Sequence, residues 1–480
     1  MVRYKKSGRL LPCREKKRKL VVIALQTRLR RTDTDMTKGS VLRRLVAFAV
    51  PLLIGNIFQQ LYNTVDSVVV GNFVGKEALA AVGSVAPVVN MLIGFFNGFA
   101  TGAGVIISRY YGAQQKENVH IAVQTTIAMT ILMSVVLSIC GVLLTPALLR
   151  MMKTPEDVIA HSSEYLRIYF AGLSGLLLYN MGAGILRAVG DTRRPLYFLI
   201  FSAVTNTVLD LLFVTVFHMG VSGVAIATIL AQFASAVLVM VVLTRSTSDY
   251  RIVWRGMRLN KKMFGSICRL GFPAAVQLAV TSFSNIFVQS YINRFGADCM
   301  AGWTSHNKID SFVLLPIMTI SLAVTTFVGQ NLGAGDQARA RQGTRTALLL
   351  AEGVTAVLLV PLMLLSPQLI SLFNQEPEVL RYGTLFIRIV SPFYLVICIN
   401  QVLSGSLRGA GDSRNSVLII LASFVVFRQI YLAITYRVWG TVVAVALGYP
   451  AGWVLCSVLL LCYYRSGKWK KASIFKEKTQ

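Results

Sequence analysis

Acidic side chains are scarce in this chain. Of 480 residues only 20 are Asp or Glu, against 48 Lys or Arg, and charged residues of both signs make up 14%, well below the roughly 25% of an ordinary soluble domain. A surface facing water needs more charge than this, so a soluble globular fold is excluded. The seven cysteines contain no CxxC pair and mostly sit in apolar runs, which excludes a disulfide framework. Four histidines are scattered, no two at metal-ligand spacing, and no zinc site is expected. The stretch Gly71–Glu77 faintly echoes a phosphate loop, but that pattern needs glycine where Val70 stands and Ser or Thr where Glu77 stands, so ATP hydrolysis is excluded. With no nucleophile–base pair or metal cluster in view, an enzyme is not expected, and no cofactor is called for.

Apolar residues are abundant instead. They make up 55% of the chain, and the mean hydropathy is +0.62. The net charge of +28 falls in short clusters between apolar runs of about 20 residues, the length that crosses a bilayer. A nucleic-acid binder would carry it on one solvated face. The chain therefore reads as an all-α polytopic membrane protein whose surroundings are lipid, with no nucleic-acid partner. Twelve transmembrane helices are predicted, near 45–74, 80–108, 120–148, 163–187, 195–218, 222–244, 267–294, 300–331, 344–365, 380–407, 415–436 and 440–464. An even number puts both termini on one side. With both in the cytoplasm, the inner connections and the tail hold 23 basic residues and the outer connections eight, the bias expected of a cell-membrane protein. Residues 1–35 carry twelve bases and three acids around one short apolar stretch, too short for a signal peptide. They read as a disordered basic extension, or as a start placed upstream of the true one at Met36.

The chain is duplicated. GILRAVGDTRRP at Gly184–Pro195 returns as GSLRGAGDSRNS at Gly405–Ser416, an offset of 221, and Pro51 aligns with Pro273 at 222. The duplication implies two pseudo-symmetric six-helix bundles, residues 36–244 and 267–465, joined by a connector at 245–266 and ending in a basic tail at 466–480. Six helices separate the copies, so they share one orientation, an arrangement familiar among secondary transporters with substrate sites between the halves.

Ionisable groups inside spans are costly and read first as functional. On the first helix Asn56, Gln59, Asn63 and Asp66 share one narrow face. On the fifth, Asn206 and Asp210 are one turn apart, and Thr228 lies on the sixth. Together these offer oxygens for a small cation such as Na⁺, or carboxylates for a proton. The repeat pairs Asp66 with Val288, Asn206 with Phe427, Asp210 with Tyr431 and Thr228 with Val445. Helix glue alone would have been needed in both halves, so the asymmetry favours an ion site in the first. Glu352 in the ninth helix and Arg428 in the eleventh could each pair or contact substrate. His306 and Asp310 could pair with each other, while Lys308 points elsewhere, which suggests a wet cleft wall.

FAVPLLIGNIFQQLYNTVDSVVVG in the first helix, the repeated LRxxGD connection, NTVLDLLF in the fifth helix and GVAIAT in the sixth together resemble the multidrug and toxic compound extrusion (MATE) transporters over residues 36–465. The resemblance implies a V-shaped cleft, alternating access, and export of cationic or amphipathic small molecules against inward Na⁺ or H⁺ flow by a single chain. It matches Asp66, Asn206, Asp210 and Thr228 to the family's first-lobe cation site, and Pro51 to a proline linked to bending of the first helix. Some branches also use a glutamate in the seventh helix. Here that helix offers only Gln277, Thr281, Asn285 and Gln289, with Gln277 and Asn285 as possible cleft contacts. A flippase for lipid-linked saccharides or peptidoglycan precursors is the alternative, but its cleft needs several bases for pyrophosphate, and only Arg428 and Lys308 offer themselves.

Overall fold

The structure, a computed structural model, describes residues 35–74, 76–152 and 156–472. Residues 1–34 of the basic extension and the end of the tail lie outside these. Among the described residues the spans are all helical, as a bilayer requires, because a helix satisfies its own backbone polar groups where no water can, and the connector at 246–260 is not helical. Among the described residues eleven helices are long and apolar enough to span a membrane, or twelve if a bent pair is counted as one span.

In the first half, α1 (Val41–Val69) runs into a π turn at Val70–Val74. It is followed by α2 (Lys76–Gly112) and α3 (Lys116–Met151). The bent pair, α4, comprises Glu156–Ala171 and Leu173–Ala188, which meet at 49°. Next come α5 (Arg193–Leu211), with a π turn at Leu212–Val216, and α6 (Gly220–Arg245). The second half repeats the series with α7 (Lys261–Asn293), α8 (Ala297–Gly333) and α9 (Gln337–Leu364). In α10, Pro377–Val390 and Tyr394–Gly409 flank a 3₁₀ turn at Ser391–Phe393. In α11, Ser413–Leu421 and Arg428–Val438 flank a π turn at Ala422–Phe427, and α12 consists of Val442–Ala446 and Gly448–Ser466. With their π turns included, all the observed helices but α12 begin two to seven residues before the predicted windows, while α5, α7 and α9 end one or two residues inside them and α12 begins two residues late.

The repeated LRxxGD connection is a helix-to-helix corner. Gly190 and Gly411 take φ of 96° and 88°, left-handed values that favour glycine. The following aspartate then caps the next helix: Asp191 Oδ1 accepts from the backbone of Arg193 and Arg194 at 3.2 Å each, and Asp412 Oδ1 accepts from Asn415 at 3.3 Å. The arginine of the motif turns back into its lobe, where Arg408 donates to Ser404 at 2.7 Å and to Ser321 at 3.1 Å.

The two lobes meet along the halves of α1, α2, α7 and α8 nearest these corners, here called the basic end. A methyl on Gly98 would lie 2.5 Å from the Ala275 nitrogen, and one on Gly102 2.6 Å from the Gly271 nitrogen. Gly98 and Gly102 form a GxxxG pair, the spacing that lets helix backbones approach closely in lipid. Gln330, fully buried on α8, accepts from the Met36 backbone at 3.1 Å and donates to the Ala188 carbonyl at 2.9 Å. Asn331 and Arg339 both donate to the Met36 carbonyl. Midway along α1, Asn56 donates to Thr319 at 3.3 Å.

Candidate functional site

Asn206, Asp210 and Thr228 come together inside the first lobe. All three are buried, with Asn206 and Asp210 at 1% and 0% exposure. The amide of Asn206 donates to the Thr228 hydroxyl at 3.4 Å, joining α5 to α6. Its carbonyl oxygen Oδ1 is buried without a hydrogen-bond partner. Apolar packing from Val70, Tyr165, Val214, Val221 and Val224 fills this part of the lobe. The π turn that opens at Leu212 comes directly after Asp210 and Leu211, so Asn206 and Asp210 still sit on an ordinary α-helical face one turn apart. The arrangement offers hard oxygens in a dry environment, suited to a proton or a small cation.

The α1 stripe divides. Asn63 and Asp66 lie on α1, but their side chains lie outside the described residues. Asn56 and Gln59 border a cavity of about 110 Å³ that also touches Pro51, Asn180, Arg187 and Gln232. Pro51 sits within α1 without ending it. Sequence reasoning missed Arg187, although its place in the repeated motif was a usable signal. Its counterpart Arg408 has Ser404 and Ser321 as partners, and the positions matching these in the first lobe are Ala183 and Ala100.

Three expectations for the second lobe need correction. First, His306 does not face a wet cleft wall: it is 2% exposed among Trp303 and Phe386, with Nδ1 unpartnered, and makes no ion pair with Asp310 among the described residues. Asp310 Oδ1 is buried without a hydrogen-bond partner, and the Lys308 ammonium sits over the Phe373 ring. Second, Arg428 forms no ion pair among the described residues. Its guanidinium donates to Ser284 Oγ and Asn285 Oδ1 at 2.8 Å each and lies 4.7 Å from the centre of the Tyr449 ring. Third, the pairing of the two halves is shifted. At offset 221 Asn206 and Asp210 fall on Phe427 and Tyr431, yet at this level of α11 the buried residues are their neighbours Arg428 and Leu432. Phe427 and Tyr431 line a shallow apolar groove with Pro450 and Val454.

The cause is the placement of the π turns. A π turn holds one extra residue and rotates the rest of the helix by about 100° relative to an uninterrupted one. In α11 the turn precedes Arg428, and in α5 it comes after Asp210. Before and after this window the halves agree again: Ser202 matches buried Ser423, and buried Val214 matches buried Thr435. Thr228 likewise pairs with Tyr449, not Val445. Ser202 donates to the Ala231 carbonyl, and the position of Ala231 plus 221 is Gly452, which packs against the Ser423 carbonyl. Gln277 is half-buried two turns along α7 from Asn285. Glu352 borders a shallow groove with Leu349, Leu395 and Ile399 and joins neither cluster.

A helical membrane protein of two six-span lobes, packed at one end and with polar side chains gathered inside a lobe, has the architecture of a secondary transporter. The sequence profile of MatE matches residues 51–212 and again 273–434, and the chain belongs to the MatE family. It is 32% identical over 446 residues to "Probable multidrug resistance protein YoeA" of Bacillus subtilis (strain 168), covering 91% of this chain and 96% of that protein. It is 31% identical to "Probable multidrug resistance protein YpnP" of the same organism, covering 92% and 99%. In fold it resembles a solved structure described as the outward-facing conformation of a multidrug resistance MATE family transporter of the MOP superfamily. That match has a TM-score of 0.85 and 24% identity, covering 92% of this chain and 99% of that one. The chain shares the V-shaped, two-lobe fold of these transporters.

Proposed function

We propose that this protein is a cation-coupled antiporter that exports cationic or amphipathic small molecules across the cell membrane by alternating access. The names of its relatives support drug export. The observation that carries the coupling is the unpartnered, buried Asn206 Oδ1 beside Asp210 and Thr228. A buried oxygen left without a donor costs about 1–3 kcal/mol, a cost that a bound Na⁺ or a proton shared with Asp210 would remove. Asp66, on the neighbouring α1, supplies the second carboxylate of this reading. Loading from the outside weakens substrate binding and releases it outward, and the loaded protein then reorients and discharges. Only a difference in ion and substrate affinity between the two states can drive that cycle.

The basic end is assigned to the cytoplasm with both termini, on the 23-to-eight bias of basic residues. The lobe contacts seen among the described residues along the basic-end halves of α1, α2, α7 and α8 then correspond to a transporter closed inward. Both halves of the cleft come from one chain, which makes a monomer the working unit. Arg428, 2% exposed, does not offer its charge to a pyrophosphate in the cleft, so the flippase reading has nothing further to support it.

The test is efflux of ethidium from proteoliposomes under separate Na⁺ and H⁺ gradients. Asp66→Asn and Asp210→Asn each abolish gradient-driven efflux while leaving reconstitution normal. Wild-type efflux by both variants would sink the site.

A further inference from the structure

The buried polar groups of the second lobe have no place in the coupling reading above, yet they are built as carefully as those of the first. Arg428 is 2% exposed, deep in the helical part of a span. A charge there is tolerated only where protein holds it. Four residues do so. Ser284 and Asn285 of α7 accept from Nη2, Gln429 of α11 steadies Ser284 by donating to its Oγ at 2.9 Å, and the Tyr449 ring of α12 lies against the guanidinium face.

The positions matter more than the contacts. With the π turn taken into account, Arg428 is the counterpart of Asn206, and Tyr449 is the counterpart of Thr228. Asn285 is the counterpart of Asn63, at the offset of 222 that aligns Pro51 with Pro273. In the first lobe the α5 and α6 members of this set touch through the bond from Asn206 to Thr228. In the second lobe the three equivalent residues touch through Arg428. One lobe thus presents an oxygen with no donor, and the other fills the same place with a side chain that carries five donors and a permanent positive charge.

We propose that Arg428 is a resident cation. It occupies the second-lobe counterpart of the coupling-ion position, so that only the first lobe exchanges its cation during the cycle. The inference rests on the antiport reading for its functional part, and on geometry for its structural part. The groups that face Arg428 from the elements around it are Tyr449 of α12 and the neutral Ser284 and Asn285 of α7. The Tyr449 ring lies 4.7 Å from the Arg428 guanidinium carbon and packs against the Trp303 ring of α8 at 5.6 Å between centres. Removing the guanidinium leaves Asn285 Oδ1 without the donor it has here, while Ser284 Oγ keeps only Gln429.

The test uses the full-length protein in four forms: wild type, Arg428→Lys, Arg428→Met and Arg428→Ala. Gradient-driven ethidium efflux is expected to fall about tenfold or more in Arg428→Met and to remain within a few-fold of wild type in Arg428→Lys, because Lys keeps the charge and Met keeps only the packing. The independent reading is methylguanidinium added to Arg428→Ala in detergent. It raises the unfolding temperature of that variant, leaves wild type unchanged, and restores efflux after reconstitution. Wild-type efflux by Arg428→Met, or an Arg428→Ala protein indifferent to methylguanidinium, overturns the proposal. Loss of efflux in wild type itself counts against the antiport reading instead, and the thermal response of Arg428→Ala still reports on the cation position.

Discussion

The close crossing of α2 and α7 makes Gly102→Ala an informative perturbation. A methyl placed there would stand 2.6 Å from the Gly271 nitrogen, 2.8 Å from its Cα and 2.9 Å from the Ile267 carbonyl oxygen. Carbon contacts settle at about 3.5–4.0 Å, so the two helices must part by about 1 Å. No flexible side chain can absorb this, because all three neighbours are backbone atoms. Overpacking of this kind costs roughly 1–3 kcal/mol. The cost falls on the state in which the lobes touch at the basic end, and is relieved when they separate. It therefore shifts the equilibrium between the two states by about 5–150-fold. Spin labels at Glu117→Cys and Arg341→Cys, in a background without native cysteines, report the separation of the lobes at that end. Gly102→Ala is expected to move the distance distribution toward longer values, whereas Gly353→Ala, where a methyl meets nothing within 4 Å, leaves it in place. A distribution for Gly102→Ala that matches the parent would refute the assignment of this crossing as the closed gate.

Two further predictions concern groups that hold the basic end together. Gln330→Ala removes the acceptor of the Met36 amide and the donor to the Ala188 carbonyl. With each buried bond left unmade costing about 1–3 kcal/mol, the same pair of spin labels is expected to show a larger separated population, and an unchanged spectrum would exclude a clasp at Gln330. Asp412→Ala removes the cap of α11 and the acceptor of the Tyr463 hydroxyl. A loss of about 0.5–2 kcal/mol in stability is expected, read as a lower unfolding temperature in detergent with retained secondary structure. A temperature equal to that of wild type would show that the repeated aspartate does not act as a cap.

Much of this protein was legible in its residues because lipid imposes simple rules. Runs of apolar residues about 20 long must be helices, and their number and the placement of bases between them can be read directly. The duplicated LRxxGD motif exposed the two halves, although its role proved to be the geometry of a corner. Asn206, Asp210 and Thr228 were visible as polar residues in a costly place, and α-helical spacing predicted that Asn206 and Asp210 share a face. The GxxxG pair at Gly98 and Gly102 was equally visible, but its meaning emerged only from the contact between the α2 and α7 backbones.

Arg428 marks where that reasoning stopped. Its residue type and depth showed that it needed partners, but the expected ion pair is replaced by two neutral oxygens and an aromatic face. Its correspondence with the first lobe was hidden as well, because a π turn leaves no signature in composition or periodicity. The turn at Ala422–Phe427 comes before the buried position, and the turn at Leu212–Val216 comes after it. The two halves therefore turn different residues inward over one stretch of otherwise matching helix. By itself the sequence determined the number of spans, their duplication and which polar residues stand inside them, since those depend on burial cost and chain length. Only the tertiary structure decided which of those residues face one another, because a single extra residue in a helix redirects every side chain after it.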